Sequence, residues 1–163
     1  MLTSSMTPPP FSSLDTQTAE IVARYPVSKR SAALMVLHLL QETYGFISNE
    51  AIAWAAQKLD LQPINLLELV TFYPMFRQKP VGRYHVKVCR TLSCALGGAG
   101  KLTAFIKQKL GIEPGQTTPD GRYTLTEVEC LASCGTAPMM QVNDDYYENL
   151  SEQRVTEILE SLK

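Results

Sequence analysis

Val88-Cys89-Arg90-Thr91-Leu92-Ser93-Cys94 and Glu129-Cys130-Leu131-Ala132-Ser133-Cys134 hold all four cysteines of the chain. The first pair encloses four residues, the second encloses three, and the pairs lie about forty residues apart. Two short-spaced pairs at that separation imply two loops converging on one metal centre. Four thiolates are the usual protein ligand set of a 2Fe–2S cluster. The spacing therefore makes Cys89, Cys94, Cys130 and Cys134 the candidate metal and cofactor ligands. Nothing else in the chain looks chemically active, so no catalytic residue is assigned.

Other readings of the quartet fit less well. A structural zinc site also takes four cysteines, but its pairs sit closer together in tight turns. A thioredoxin-type redox disulfide needs two cysteines separated by two residues, and neither pair has that spacing. Unrelated core cysteines would not all fall at strand ends or in loops. The flanks suit a cluster: Thr91, Leu92, Ser93, Ala132 and Gly135 offer backbone N–H groups near the sulfurs. Such donors tune a cluster's potential. Of the nearby charges, Glu127 and Glu129 push the potential down and Arg90 pushes it up.

Working outward, the pattern around the cysteines has period two. Tyr84, Val86 and Val88 alternate with His85, Lys87 and Cys89, a strand delivering Cys89 at its C-terminal end. A loop through Cys94 and the glycines leads to a helix with the stripe Leu102, Phe105, Ile106 and Leu110, ended by Gly111. Pro119-Asp120-Gly121 closes a further loop. Arg122–Glu129 is a second strand, delivering Cys130. Met139–Val142 and Asp145–Glu148 form a hairpin around Asn143-Asp144. Ser151 caps a last helix whose core stripe is Val155, Ile158, Leu159 and Leu162. The order over residues 83–163 is β-α-β-β-β-α. A parallel pair with a crossover helix, plus a hairpin, gives a mixed sheet covered by two helices, a thioredoxin-like layout.

Upstream the period is helical. Asp15 is the expected N-cap of a helix that Pro26 ends at Tyr25. Ser28 caps a second helix, which stops at Gly45 in a left-handed C-cap. Ser48 caps a third, with Ile52, Ala55, Ala56 and Leu59 as its stripe. Pro63 suits the first turn of a fourth. Residues 15–76 thus read as a four-helix bundle and residues 77–82 as a linker. The fold class is α+β. Residues 1–14, with Pro8-Pro9-Pro10, read as a disordered lead, and a true start at Met6 accounts for them equally well.

Composition narrows the function. The net charge of −1 offers no footprint for nucleic acid or anionic lipid. No run of apolar residues is long enough to span a membrane. The N-terminus lacks the basic start and apolar core of a secretory signal, which implies a reducing, cytosolic compartment where cysteines serve as metal ligands. Ala95–Leu102 imitates a phosphate loop, but Ala95 stands where glycine is needed and Leu102 where Ser or Thr is needed. Gly97, Gly98 and Gly100 read instead as a tight turn beside the cluster. His85 is read as a solvent-facing or interface residue, His38 as a residue of the bundle. Phe72, Tyr73 and Phe76 are either a partner surface or core packing. Ala137-Pro138 is expected in the commoner trans form.

Taken together, Phe72-Tyr73-Pro74-Met75-Phe76, Val88-Cys89-x4-Cys94, Gly115–Gly121 and Glu129-Cys130-x3-Cys134-x3-Pro138 resemble the small 2Fe–2S subunits of the NADH dehydrogenase module of respiratory complex I, the E-type subunits of NADH–quinone oxidoreductase. The resemblance covers about residues 15–163, and all four cysteine positions match. It is shared with corresponding subunits of NAD-linked hydrogenases and formate dehydrogenases. It implies a thioredoxin-like 2Fe–2S ferredoxin domain and an electron-transfer role within an oxidoreductase. It also implies a partner subunit that holds FMN, NADH and a 4Fe–4S cluster, forming a heterodimer within a larger complex. The implied location is cytoplasmic, peripheral on the cytoplasmic face of the inner membrane through that complex.

Overall fold

The structure, a computed structural model, describes residues 10–162. The chain divides between Pro80 and Val81 into two units, each with its own core.

The first unit has four α-helices: α1 Asp15–Ala23, α2 Ala33–Tyr44, α3 Asn49–Leu59 and α4 Pro63–Phe72. Their apolar positions recur at helical spacing and close a core containing Val36, Leu37 and Leu40 of α2, Ala55 and Leu59 of α3, and Leu66 and Val70 of α4. Ser48 accepts from the Ala51 N–H and caps α3, Pro63 opens α4, and Gly45 ends α2 with φ of +80°. Two starts differ from expectation. Ser28 makes no side-chain cap; a 3-10 turn, Lys29–Ala32, precedes α2. Asp15 is already helical, and a 3-10 turn, Phe11–Leu14, precedes it. That turn corrects the expected lead. Leu14 is buried, and Phe11 packs 5.0 Å from the Tyr44 ring and 5.9 Å from the Trp54 ring. Two apolar side chains thus offset the ordering cost that the proline run suggested was unmet. The rest of the lead, residues 1–9, lies outside the described residues.

Of the expected linker, Arg77 is fastened to the first unit: its carbonyl accepts from the Ile47 N–H at 2.7 Å and its N–H donates to Gln41. Gly82 donates to Thr124 Oγ1 at 2.6 Å in the second unit.

The second unit contains β1 Tyr84–Cys89, α5 Leu92–Leu96, α6 Ala99–Leu110, β2 Tyr123–Val128, β3 Met140–Val142, β4 Asp145–Tyr147 and α7 Glu152–Ser161. The sheet order is β2-β1-β3-β4, with β1 parallel to β2 and antiparallel to β3, and β3 antiparallel to β4. This is the mixed four-stranded sheet anticipated from the alternating pattern. Val86 and Val88, Leu125, and Met140 and Val142 share one core with Leu102 and Ile106 of α6 and Val155, Ile158 and Leu159 of α7. Ser151 caps α7 by accepting from the Arg154 N–H.

Three corrections concern the cysteine region. The segment through Cys94 is not a loop; it forms the short helix α5. The Ala137-Pro138 peptide is cis, not trans. His85 is buried rather than solvent-facing, with Nε2 at 2.9 Å from Thr126 Oγ1 of the neighbouring strand. Parallel pairing sets His85 beside Thr124, so a polar strip runs along this face of the sheet.

Candidate metal centre

Cys89 is the last residue of β1, where the Val86/Val88 alternation ends. Its N–H donates to the Met139 carbonyl at 3.3 Å, which ties the strand end to the segment after Pro138. Arg90 N–H donates to the Val128 carbonyl at 3.0 Å, so the ends of β1 and β2 stay side by side. Cys130 follows β2 by two residues and is therefore delivered to the same edge as Cys89.

Cys94 is set by α5, a single turn too short for hydrophobic periodicity to reveal. Gly97 ends α5 against the Ala137-Pro138 peptide. A Cβ on Gly97 would lie 3.2 Å from Ala137 C and from Pro138 N, so any larger residue would crowd this peptide. Gly98 follows with φ of +96° and turns the chain into α6. Gly100 belongs to α6 itself, with open space around its Cα hydrogen, and is not part of the tight turn.

The two pairs differ in surroundings. Cys89 and Cys94 are each 2% exposed and pack with Ala99 and Met139, with Leu131 and Ala137 against them. Cys130 and Cys134 are solvent-exposed, with their sulfurs 3.6 Å apart. Ala132 adopts φ of +64°, and its N–H donates to Cys130 Sγ at 3.3 Å. The 3-10 turn Cys134–Thr136 then leads to Pro138. The carbonyls of Thr136 and Pro138 accept from the Asn149 and Leu150 N–H groups, which ties this stretch to the segment before α7.

Electrostatics split each pair in the metal-free chain. Burial pushes the Cys89 thiol up, but the Thr91 hydroxyl, at 3.3 Å, and the N–H groups of Thr91 and Leu131 outweigh it and hold it below the ordinary value. Burial, and then the hydrogen bond with Cys89, push Cys94 up, against the Met139 N–H. The Ala132 N–H, followed by the Cys134 thiol and the Thr91 hydroxyl, lowers Cys130. The hydrogen bond and charge of Cys130 raise Cys134. The sulfurs act on one another across the pairs as well: Cys134 on Cys94, and Cys89 on both Cys130 and Cys134. The fold thus brings all four cysteines into one neighbourhood, with N–H and O–H donors that favour the thiolate at Cys89 and Cys130.

Of the flanking donors expected from sequence, Thr91 and Ala132 point their N–H groups at sulfur. Ser93 serves through its side chain, towards Cys134. Leu131 and Met139 are donors that the sequence did not reveal, because any residue type carries an N–H and only the chain's path aims it. The other sequence candidates are spread out. His38 packs 5.0 Å from Phe76 in the first unit's core, while Phe72 is exposed.

Two pairs suit a binuclear centre, in which each iron takes two thiolates. Among the described residues, no three His, Cys, Asp or Glu side chains are already gathered around a single point. The donor set fits a 2Fe–2S cluster.

Comparison with known proteins agrees. The chain is 42% identical over 86% of its length to the second NADH-quinone oxidoreductase E subunit of Rhizobium meliloti, covering 83% of that protein. It is 41% identical over 88% of its length to the NADH-quinone oxidoreductase E subunit of Rickettsia conorii, covering 87% of it. Among solved structures, the NAD+-reducing [NiFe]-hydrogenase in its air-oxidised state shares the fold. That match has a TM-score of 0.69 at 23% identity, covering 80% of this chain and 22% of that one. The profile of the thioredoxin-like [2Fe-2S] ferredoxins matches residues 18–163. With its cysteine pairs at the edge of a mixed four-stranded sheet, the chain belongs to the thioredoxin-like [2Fe-2S] ferredoxin family.

Proposed function

We propose that this chain is the electron-transfer subunit of an NADH:quinone oxidoreductase, and that Cys89, Cys94, Cys130 and Cys134 hold its one 2Fe–2S cluster. Two observations support the reading: the convergence of two cysteine pairs with N–H donors turned towards sulfur, and identity above 40% to E-type subunits over most of the chain. When bound, the cluster supplies one-electron storage. The residues of this chain hold it and set its surroundings. Cys89 and Cys94 bind from the buried side, and Cys130 and Cys134 bind from the side open to a partner.

The chain does not oxidise NADH alone, because hydride chemistry needs a flavin or nicotinamide site and the one phosphate-loop imitation fails at Ala95 and Leu102. We place FMN, NADH and a 4Fe–4S cluster in a partner subunit. Residues 15–76, read as a four-helix bundle, and the exposed cysteine edge are the surfaces that engage it. Among the described residues no helix is long and apolar enough to cross a membrane. Attachment on the cytoplasmic face is accordingly proposed to run through the complex. The hydrogenase likeness keeps a second parent in view, the equivalent subunit of an NAD-linked hydrogenase.

The test is reduction of the purified holoprotein followed by electron paramagnetic resonance. NADH alone should leave the cluster oxidised, and NADH with the FMN-bearing partner should reduce it. Reduction by NADH without any flavoprotein would overturn the assignment of flavin to the partner. Deleting residues 15–76 should abolish co-purification with that partner; co-purification that survives the deletion removes the bundle from the interface.

A further inference from the structure

Arg90 and Glu129 flank the centre from opposite segments. Arg90 immediately follows Cys89, and Glu129 immediately precedes Cys130. The parallel register of β1 and β2 brings them together, since Cys89 pairs with Val128 and the Arg90 N–H donates to the Val128 carbonyl at 3.0 Å. Their side chains close the gap. Arg90 Nε and Nη2 both donate to Glu129 Oε1, at 3.0 and 2.5 Å. Both side chains are more than half exposed, at 59% and 62%. An exposed ion pair contributes little to folding, so its place matters more than its strength. It is an ion pair between the two cysteine-bearing segments, one residue from a candidate ligand on each side.

We infer that Arg90 is a positioning residue for the cluster: its ion pair with Glu129 clasps the two ligand segments and cancels a carboxylate charge beside the sulfurs, holding the reduction potential up. The inference rests on the cluster reading given above. Four thiolates and an oxidised 2Fe–2S core carry about two negative charges, and one added electron makes about three. A carboxylate nearby opposes that electron and a guanidinium favours it. Glu127 also acts on Arg90, so this cation faces two carboxylates. Removing Arg90 uncovers both; removing Glu129 leaves Arg90 balanced by Glu127 alone, one negative charge fewer near the cluster. The two deletions must therefore move the potential in opposite directions, which a structural role for either residue does not predict.

The experiment is a dithionite redox titration of the holoprotein, followed by electron paramagnetic resonance, for the wild type, Arg90→Gln, Arg90→Lys, Glu129→Gln and the Arg90→Gln/Glu129→Gln double variant. Arg90→Gln should lower the midpoint, Glu129→Gln should raise it, the double variant should lie between them, and Arg90→Lys should restore most of the wild-type value. The differences should shrink at high salt, because exposed charges are screened. Unchanged midpoints, or shifts of the same sign, in proteins that keep their cluster overturn the inference and leave the cluster reading standing. If Arg90→Gln cannot retain a cluster, Glu129→Gln alone decides, since its midpoint must rise. A wild-type protein with no iron–sulfur signal overturns the cluster reading itself, and this inference with it.

Discussion

Cys130 and Cys134 face solvent while Cys89 and Cys94 are buried, so the four candidate ligands should fail in different ways. Cys130→Ala removes a proposed iron ligand with little change to packing. It should strip or destabilise the cluster while the metal-free protein keeps its stability. Cys94→Ala also deletes a buried sulfur, so the metal-free protein should lose on the order of 1 kcal/mol as well. Visible spectra of the holoprotein and urea titrations of the metal-free form separate the two effects; an unchanged spectrum in Cys130→Ala would falsify its role as ligand. That the candidate ligands converge was legible because cysteine is rare here and falls in two short-spaced pairs. The N–H donors Leu131 and Met139 were not, since no side chain marks them. His85 was misjudged for a related reason. Period two correctly put it on the face opposite Val86 and Val88, but nothing local reveals that this position is buried while Tyr146 on the same face is exposed.

Short elements around the centre carry their own tests. Gly97→Ala sets a methyl 3.2 Å from the Ala137-Pro138 peptide, and crowding of this kind costs about 1–3 kcal/mol. It should also loosen α5 and with it Cys94. Gly100→Ala meets nothing within 4 Å and should stabilise α6 by about 0.4–1 kcal/mol. Urea midpoints of the two variants should therefore move apart, and equal shifts would contradict this division of roles. The turn before β2 gives a pH test. Asp120 accepts from the Thr118 hydroxyl at 2.5 Å and from the Arg122 N–H at 2.9 Å. The Thr118 bond, and then the Arg122 N–H, hold its carboxyl below the usual value. A carboxyl whose pKa is lower when folded stabilises the fold above its unfolded value and loses that contribution as pH falls through the folded value. Asp120→Asn should thus flatten the acid limb of the stability profile, from about pH 5 down to the folded pKa; an unchanged limb would count against the turn. At this scale the strands, the hairpin and the capped helices were readable from periodicity and from Ser48, Pro63 and Ser151. The helix α5 and the 3-10 turns were not, because each is too short to show a period.

On the scale of the whole chain, the division between Pro80 and Val81 leaves each unit with its own buried core. The unit from Val81 onward holds all four cysteines and the entire sheet. A fragment of residues 81–163 should therefore fold cooperatively and retain the cluster spectrum; a fragment without a thermal transition would show that the cores are not independent. Within it, Ile106→Ala empties a fully buried site between sheet and helices and should cost about 2–5 kcal/mol. The α+β class and a mixed sheet with one parallel pair and a hairpin were accessible from sequence because hydrophobic period shifts from helical to two near Arg83. The ordered turn at Phe11–Leu14 was masked by the prolines before it. The central claim remains that two cysteine pairs, one buried and one exposed, hold a binuclear iron centre. Iron, zinc and acid-labile sulfide counted per chain in anaerobically purified protein test it most directly. The account predicts red-brown protein with two irons and two sulfides per chain, as the 2Fe–2S assignment requires; colourless protein with one zinc and no sulfide would contradict it.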